Sequence, residues 1–157
     1  MRAGLDLNLT HALVCSQAVG PHMLQRGSGK IINVSSFVAA RPSGAHIIYT
    51  AAKTALSGFT RALALQWAPF GIQVNAIAPG AHPDELTASV DEVRRVAQIV
   101  EQQTPLQRVG TLREVGLLAL YLACSASDYM TGQTLFIDGG MSLGWSRPER
   151  SSAHMSG

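Results

Sequence analysis

The chain has 157 residues, 46% of them apolar and 14% charged, with a formal net charge of +2. That suffices for one globular domain with a real core and excludes a disordered chain, while so small and scattered a charge excludes a nucleic-acid or anionic-membrane partner. No apolar h-region follows Met1, and the most apolar stretch, Val115 to Cys124, is about half a bilayer span, so the reading is a soluble cytoplasmic protein.

From about Leu5 to Gln25 the apolar residues fall at 5, 9, 12, 13, 19, 23 and 24, which predicts a helix with one buried stripe. Gly27 to Gly29 ends it. Cys15 in this helix, and Cys124 later on, have apolar, helix-periodic neighbours and read as buried thiols of a reducing compartment. Gly27-Ser28-Gly29-Lys30 resembles a phosphate loop only in part: Leu24 stands where its first Gly belongs and Ile31 replaces the Ser/Thr, so it reads as a turn. KIINVSS (30–36) is a β-branched run predicted to be a strand buried on both faces.

Arg41-Pro42-Ser43-Gly44 is loop chemistry. A second helix is predicted from near Tyr49 to Ala68, with Leu56, Phe59, Leu63 and Trp67 on one face and the small residues Ala51, Ala55 and Ala62 on another. Pro69-Phe70-Gly71 stops it, and IQVNAIA (72–78) forms the next strand, cut by Pro79-Gly80. A polar helix is expected over about Ala88 to Gln103, solvated, with local ion pairs of Arg94 and Arg95 to Asp91 and Glu92. An apolar helix (about Arg113 to Ala123) and a strand, TLFID (134–138), closed by Gly139-Gly140, complete a domain over 1–143; residues 144–157 read as a disordered tail.

Helices alternating with short apolar strands call for an α/β layered unit of parallel strands joined by crossover helices. Such sheets bind ligands beyond the carboxyl ends of their strands. Ser35-Ser36 and Pro79-Gly80 both sit at such ends, next to the start of the helix that carries Tyr49 and Lys53. Those two lie at i and i+4, so their side chains leave one helix face a turn apart. A free phenol titrates near ~10 and is a poor base at neutral pH. A cation one turn away favours the phenolate and makes tyrosine usable as a general acid or base. Competing chemistries find less: the five His, at 11, 22, 46, 82 and 154, show no metal-ligand spacing, and no G-x-S-x-G elbow supports a serine hydrolase.

A Tyr-x-x-x-Lys pair alone carries little weight, but it stands in register with DLNLT (6–10), GKIINVSS (29–36), GIQVNAIAPG (71–80), TPLQRVGTLREVG (104–116) and YMTGQTLFIDGG (129–140). In this order and spacing the chain resembles, over roughly residues 5 to 143, the second half of a short-chain dehydrogenase/reductase. The resemblance implies a Rossmann-type fold and hydride transfer between NAD or NADP and a small-molecule alcohol/carbonyl substrate. It implies that Tyr49 exchanges a proton with the substrate oxygen, and that Lys53 lowers the tyrosine pKa and holds the nicotinamide ribose. Ser36, thirteen residues before Tyr49, would polarise the substrate carbonyl; Ser35 competes at a spacing one residue too long. Asn8, 28 residues before Ser36, would hold a proton-relay water. Pro79 and Gly80 would pass beneath the nicotinamide, and the small-residue helix face suits a homo-oligomer.

Two departures accompany the resemblance. Asp84 stands where the family places a cofactor-contacting Thr, with Thr87 as a substitute only if the loop shifts. The family's Gly-rich strand–turn–helix, which grips the pyrophosphate, has no counterpart here. The expectations are therefore an incomplete Rossmann-type sheet of three strands, an unpaired apolar edge on the KIINVSS strand, and weak or no dinucleotide binding by this chain alone. A non-catalytic remnant acting as an oligomerisation or interaction module is the alternative reading. Neither the substrate nor the choice between NAD and NADP is legible.

Overall fold

The computed structural model describes residues 2–83 and 89–145, apart from the side chain of Glu92. The expectations for Asp84 and Thr87, and nearly all of the expected tail, lie outside the described residues. The elements are α1 (Arg2–Leu5), a π-helical turn (Asp6–Thr10), α2 (His11–Arg26), β1 (Gly29–Val34), α3 (Ile47–Trp67), β2 (Ile72–Pro79), α4 (Val90–Gln103), α5 (Leu112–Ala123) and β3 (Thr134–Ile137). The strands form one parallel sheet in the order β1-β2-β3. This is the layered α/β unit of parallel strands that the alternating elements called for, and the incomplete Rossmann-type sheet that the resemblance implied.

Local chemistry sets the boundaries. Gly27, with φ 67°, closes α2 in the left-handed region. Gly71 does the same after α3 with φ 74°; a Cβ there would also strike the Gly27 carbonyl oxygen, so the two glycines let the ends of α2 and α3 meet. Thr111 caps α5: its hydroxyl accepts from Glu114 N while Glu114 Oε2 accepts from Thr111 N at 2.8 Å.

Side chains of β1 alternate between two layers. Asn33 and Ser35 meet α3, through Asn33 Nδ2 to Thr60 Oγ1 (2.9 Å) and Ser35 Oγ to Lys53 O (3.0 Å). Lys30 reaches the opposite face, where its ammonium pairs with Asp128 (2.8 Å) and donates to Ser127 Oγ (3.0 Å), just past α5. The main apolar cluster lies on the α3 side: Leu63, Ala64, Trp67, Ile72 and Val74, backed by Met23, Leu24, Ile31 and Phe59.

Three sequence expectations need correction. β1 is not buried on both faces; Asn33 is its one buried residue and Val34 is 54% exposed, because among the described residues β1 pairs with β2 alone. Its other edge borders a cavity of about 470 Å³ between strand and α2, lined in part by Leu7, His11, Cys15, Val19 and Val34. Cys15 and Cys124 are exposed, not buried: one lies beside that open edge, the other at the α5 C-terminus, where its Sγ donates to Tyr121 O. The helix expected from Leu5 is not one regular α-helix, since a π-helical turn interrupts it, and Val19 of the expected buried stripe is 40% exposed. Among the described residues no helix is long and apolar enough to cross a membrane.

The α5 cap carries a pH signature. Arg108, donating from both terminal nitrogens, and the Thr111 backbone and hydroxyl hold the Glu114 carboxyl at about 2, against an ordinary 4.5. A carboxylate depressed in the folded state adds stability above its unfolded pKa and loses that stability as pH falls toward the folded one. Glu114→Gln is therefore expected to flatten the acid limb of the stability–pH curve between 4.5 and about 2. Urea unfolding across that range checks it; the effect is small because the pair is exposed.

Candidate active site

The site begins with the way β1 delivers the chain to α3. After Val34 the backbone stays extended through Ser36 (φ −162°, ψ 157°), then tightens into a 3₁₀ turn at Phe37–Ala39 that packs on α3. Ser36 Oγ accepts from Val38 N at a long 3.4 Å, which leaves its own proton free to donate. Arg41 anchors the following loop by donating to Met141 O at 3.0 Å. Thr50 Oγ1 folds the loop's end onto α3 through the backbone of Ser43. The first turn of α3 then presents Tyr49 and the next presents Lys53.

Lys53 is 8% exposed, and its ammonium stands 5.7 Å from the centre of the Tyr49 ring, within cation–π range. The ammonium donates to Val34 O at 2.8 Å. Ser35 N–H pairs toward β2, onto Ile77 O; strand alternation therefore turns the Val34 carbonyl to the free edge of β1, where the lysine caps it. Burial strips water from the ammonium and lowers its pKa below the ordinary lysine value. Tyr49 is half-buried, and among the described residues its hydroxyl has no hydrogen-bond partner.

Ser35 is occupied differently from Ser36. Its buried hydroxyl is taken up by Lys53 O and Ser57 Oγ, both at 3.0 Å, whereas Ser36 stands at the strand end with a donor to spare. Asn8 lies in the π-helical turn, which packs on α3, and donates to Gly4 O at 3.0 Å; its side-chain oxygen is left for another group.

Pro79 and Gly80 end β2 but are tied to β3, not to α3: Pro79 registers with Ile137, and Gly80 N donates to Ile137 O at 3.0 Å. A Cβ on Gly80 would come 2.7 Å from Asp138 Cα, so close strand packing alone requires glycine there. The structure thus gathers Ser36, Tyr49 and Lys53 around the end of β1, with Asn8 on the neighbouring turn. Pro79 and Gly80 sit at the same end of the sheet, one strand further over.

Several participants escaped the sequence reading. Ser57 was one; the signal available was its i+4 spacing from Lys53 on the same helix face. Asp138 was another: its carboxylate accepts from Gly140 N and Ser142 N at 2.9 and 2.8 Å, fixing the turn after β3. Beyond the ends of β2 and β3 lies a cavity of about 400 Å³, lined in part by His82, Leu106, Arg108, Phe136 and Asp138. Among the described residues, no group of three His, Cys, Asp or Glu is placed to hold a metal ion.

Similarity to known proteins extends over most of the chain. Residues 1–142 match a family profile described as enoyl-(acyl carrier protein) reductase. The chain is 39% identical over 136 residues to a 2-dehydro-3-deoxy-D-gluconate 5-dehydrogenase of Bacillus subtilis (strain 168), covering 87% of this chain and 54% of that protein. It is 38% identical over 141 residues to a 3-oxoacyl-[acyl-carrier-protein] reductase of Synechocystis sp., covering 89% and 55%. A gluconate 5-dehydrogenase of Burkholderia cenocepacia, solved with NADP and tartrate, superposes with a TM-score of 0.80 at 36% identity, over 88% of this chain and 54% of that one. The chain spans about half the length of the curated relatives it matches.

Proposed function

The chain belongs to the short-chain dehydrogenase/reductase family, and from that premise we propose that it serves an oxidoreductase reaction. The reaction moves a hydride between NAD or NADP and an alcohol or carbonyl substrate, with Tyr49 as general acid/base. The observation that carries this reading is the ammonium of the buried residue Lys53, held 5.7 Å from the Tyr49 ring centre, beside a phenol whose hydroxyl has no partner among the described residues.

The residues present fit the nicotinamide–ribose end of such a cofactor. An ammonium has three donors; Val34 O takes one of Lys53's, and two remain for ribose hydroxyls at the carboxyl end of the sheet, where ligands of such folds bind. Pro79 and Gly80 would flank that end. A bound dinucleotide supplies or accepts the hydride. Everything else falls to the chain itself. Tyr49 Oη passes its proton to the substrate oxygen in the reducing direction and takes it back in the oxidising one. The Lys53 charge stabilises the phenolate left behind. Ser36 Oγ, with its proton free, donates to the same substrate oxygen and fixes its position. Asn8 keeps a relay water near Lys53.

Turnover is tested by supplying NADH or NADPH at high concentration with a panel of ketones, aldehydes and keto acids, and following loss of the reduced nicotinamide. Consumption that depends on the carbonyl substrate supports the proposal, and none across the panel contradicts it. The second reading, an interaction module, draws on the free edge of β1 and on exposed Ala51, Ala55 and Ala62, a face that suits helix–helix contact in a homo-oligomer. It predicts a concentration-dependent oligomer without turnover.

A further inference from the structure

We propose that Ser35 and Ser57 are positioning residues for Lys53: their hydroxyls bind the lysine's own backbone carbonyl, lock that turn of α3 to the end of β1, and so hold the ammonium on Val34 O beside Tyr49. This rests on the proton-transfer role assigned above to Tyr49 and Lys53. Three contacts define the lock, namely Ser35 Oγ to Lys53 O at 3.0 Å, Ser35 Oγ to Ser57 Oγ at 3.0 Å, and Ser57 Oγ to Lys53 O at 3.3 Å. Both serines are buried, 3% and 6% exposed.

Two hydroxyls carry two protons, so two of the three contacts are hydrogen bonds at any moment. One runs to Lys53 O, and the other either joins the two serines or also reaches that carbonyl. In the regular pattern of α3, that carbonyl already accepts the N–H four residues on. It therefore needs neither hydroxyl. Nor does the core need the hydroxyls, since a pair of apolar side chains of the same size could fill the space at little cost. What the pair adds is registry: it joins the residue after Val34 to the backbone of Lys53. The span from Val34 O through Ser35 to Lys53 O, closed by Lys53 Nζ on Val34 O at 2.8 Å, is a ring of contacts with little freedom.

A second polar tie between the same strand and helix supplies the comparison. Asn33 Nδ2 donates to Thr60 Oγ1, which donates to Leu56 O, both at 2.9 Å, with Thr60 fully buried. That tie fastens β1 to α3 without touching Lys53. If the serine pair were only structural, the two ties would behave alike.

The test uses the full chain with lysine labelled at the ε carbon. Lys30 and Lys53 are the only lysines, and Lys30, paired with Asp128, is the internal reference. His11 and Cys15, which line the cavity that Lys53 also lines, and Tyr49 itself are left in place. In the parent and in Thr60→Val, the Lys53 signal is expected to titrate at one common midpoint below that of an ordinary lysine, and to carry a ring-current displacement from Tyr49. In Ser35→Ala/Ser57→Ala the midpoint is expected to rise, as the freed ammonium regains water, and the displacement to shrink. Ser57→Thr, which keeps the hydroxyl, is expected to restore both. Ser57→Ala alone serves if the double variant does not fold. An unmoved Lys53 signal in a folded variant lacking these hydroxyls, or an equal movement in Thr60→Val, overturns the proposal. No dinucleotide or turnover is needed for this readout; failure of the acid/base reading would show separately, as turnover that survives Tyr49→Phe.

Discussion

Tyr49→Phe is expected to lower NAD(P)-linked turnover by about 10²–10⁴-fold, the usual contribution of a positioned general acid/base, while leaving the melting temperature nearly unchanged. The two halves of this expectation have different origins. The substitution removes one oxygen, and among the described residues that oxygen bonds to nothing, so folding loses no hydrogen bond. The ring stays, and with it the packing against the Lys53 ammonium. A half-buried site changed in this way falls among substitutions of about ±0.5 kcal/mol. The proposed reaction, however, loses the proton that Tyr49 Oη exchanges with the substrate oxygen. Rate measured alongside thermal unfolding separates loss of chemistry from loss of fold. A parallel fall in both would show that Tyr49 supports the structure and not the reaction.

Trp67→Ala is expected to have the largest effect on stability, a loss of about 3–5 kcal/mol, as for other buried aromatic-to-alanine changes. Set against a typical domain stability of about 5–15 kcal/mol, the variant is close to unfolding at ambient temperature. Trp67 closes α3 and is 9% exposed. It lies in the cluster with Leu63, Ala64, Ile72 and Val74. Its ring also fills the space above Gly20 of α2, where an added Cβ would come 2.6 Å from the ring. One side chain thus joins both helices to β2, and deleting it opens a cavity that Gly20, with no side chain, cannot fill. Urea unfolding of parent and variant measures the difference; a loss below 1 kcal/mol would mean that α2 and α3 close over the gap.

The sequence pattern located the elements well because their signals are local. Gly27 and Gly71 stop helices by backbone conformation alone, and β-branched runs with Pro79-Gly80 mark strands whatever packs against them. Tyr49 and Lys53 were legible for the same reason, since i, i+4 spacing on a helix fixes their relation without tertiary information. What was not legible depends on partners distant in sequence. The exposure of Val34 follows from β1 having one neighbour, which no run of residues announces. The exposure of Cys15 and Cys124 has the same origin: apolar neighbours in sequence do not say whether anything covers them. Spacing alone left Ser35 and Ser36 as competitors, but their surroundings differ. One hydroxyl is turned into α3 and the other stands at the strand end, a difference of face that period-two alternation implies once the helix is known to lie on the Asn33 side. Gly80 meets a further demand that spacing did not show, since a Cβ there would come 2.7 Å from Asp138 Cα, far along the chain.

Transfer of a labelled hydride tests the central claim most directly. Because this chain alone is expected to bind a dinucleotide weakly, it is incubated with a high concentration of NADH or NADPH carrying deuterium at the transferable position, together with the carbonyl panel, and the alcohols formed are analysed by mass spectrometry. If the Tyr49–Lys53–Ser36 cluster serves an oxidoreductase, deuterium appears on the carbinol carbon with the parent chain, and Tyr49→Phe reduces it about 10²-fold or more. No deuterated alcohol from the parent chain, or equal amounts from both, would contradict the account.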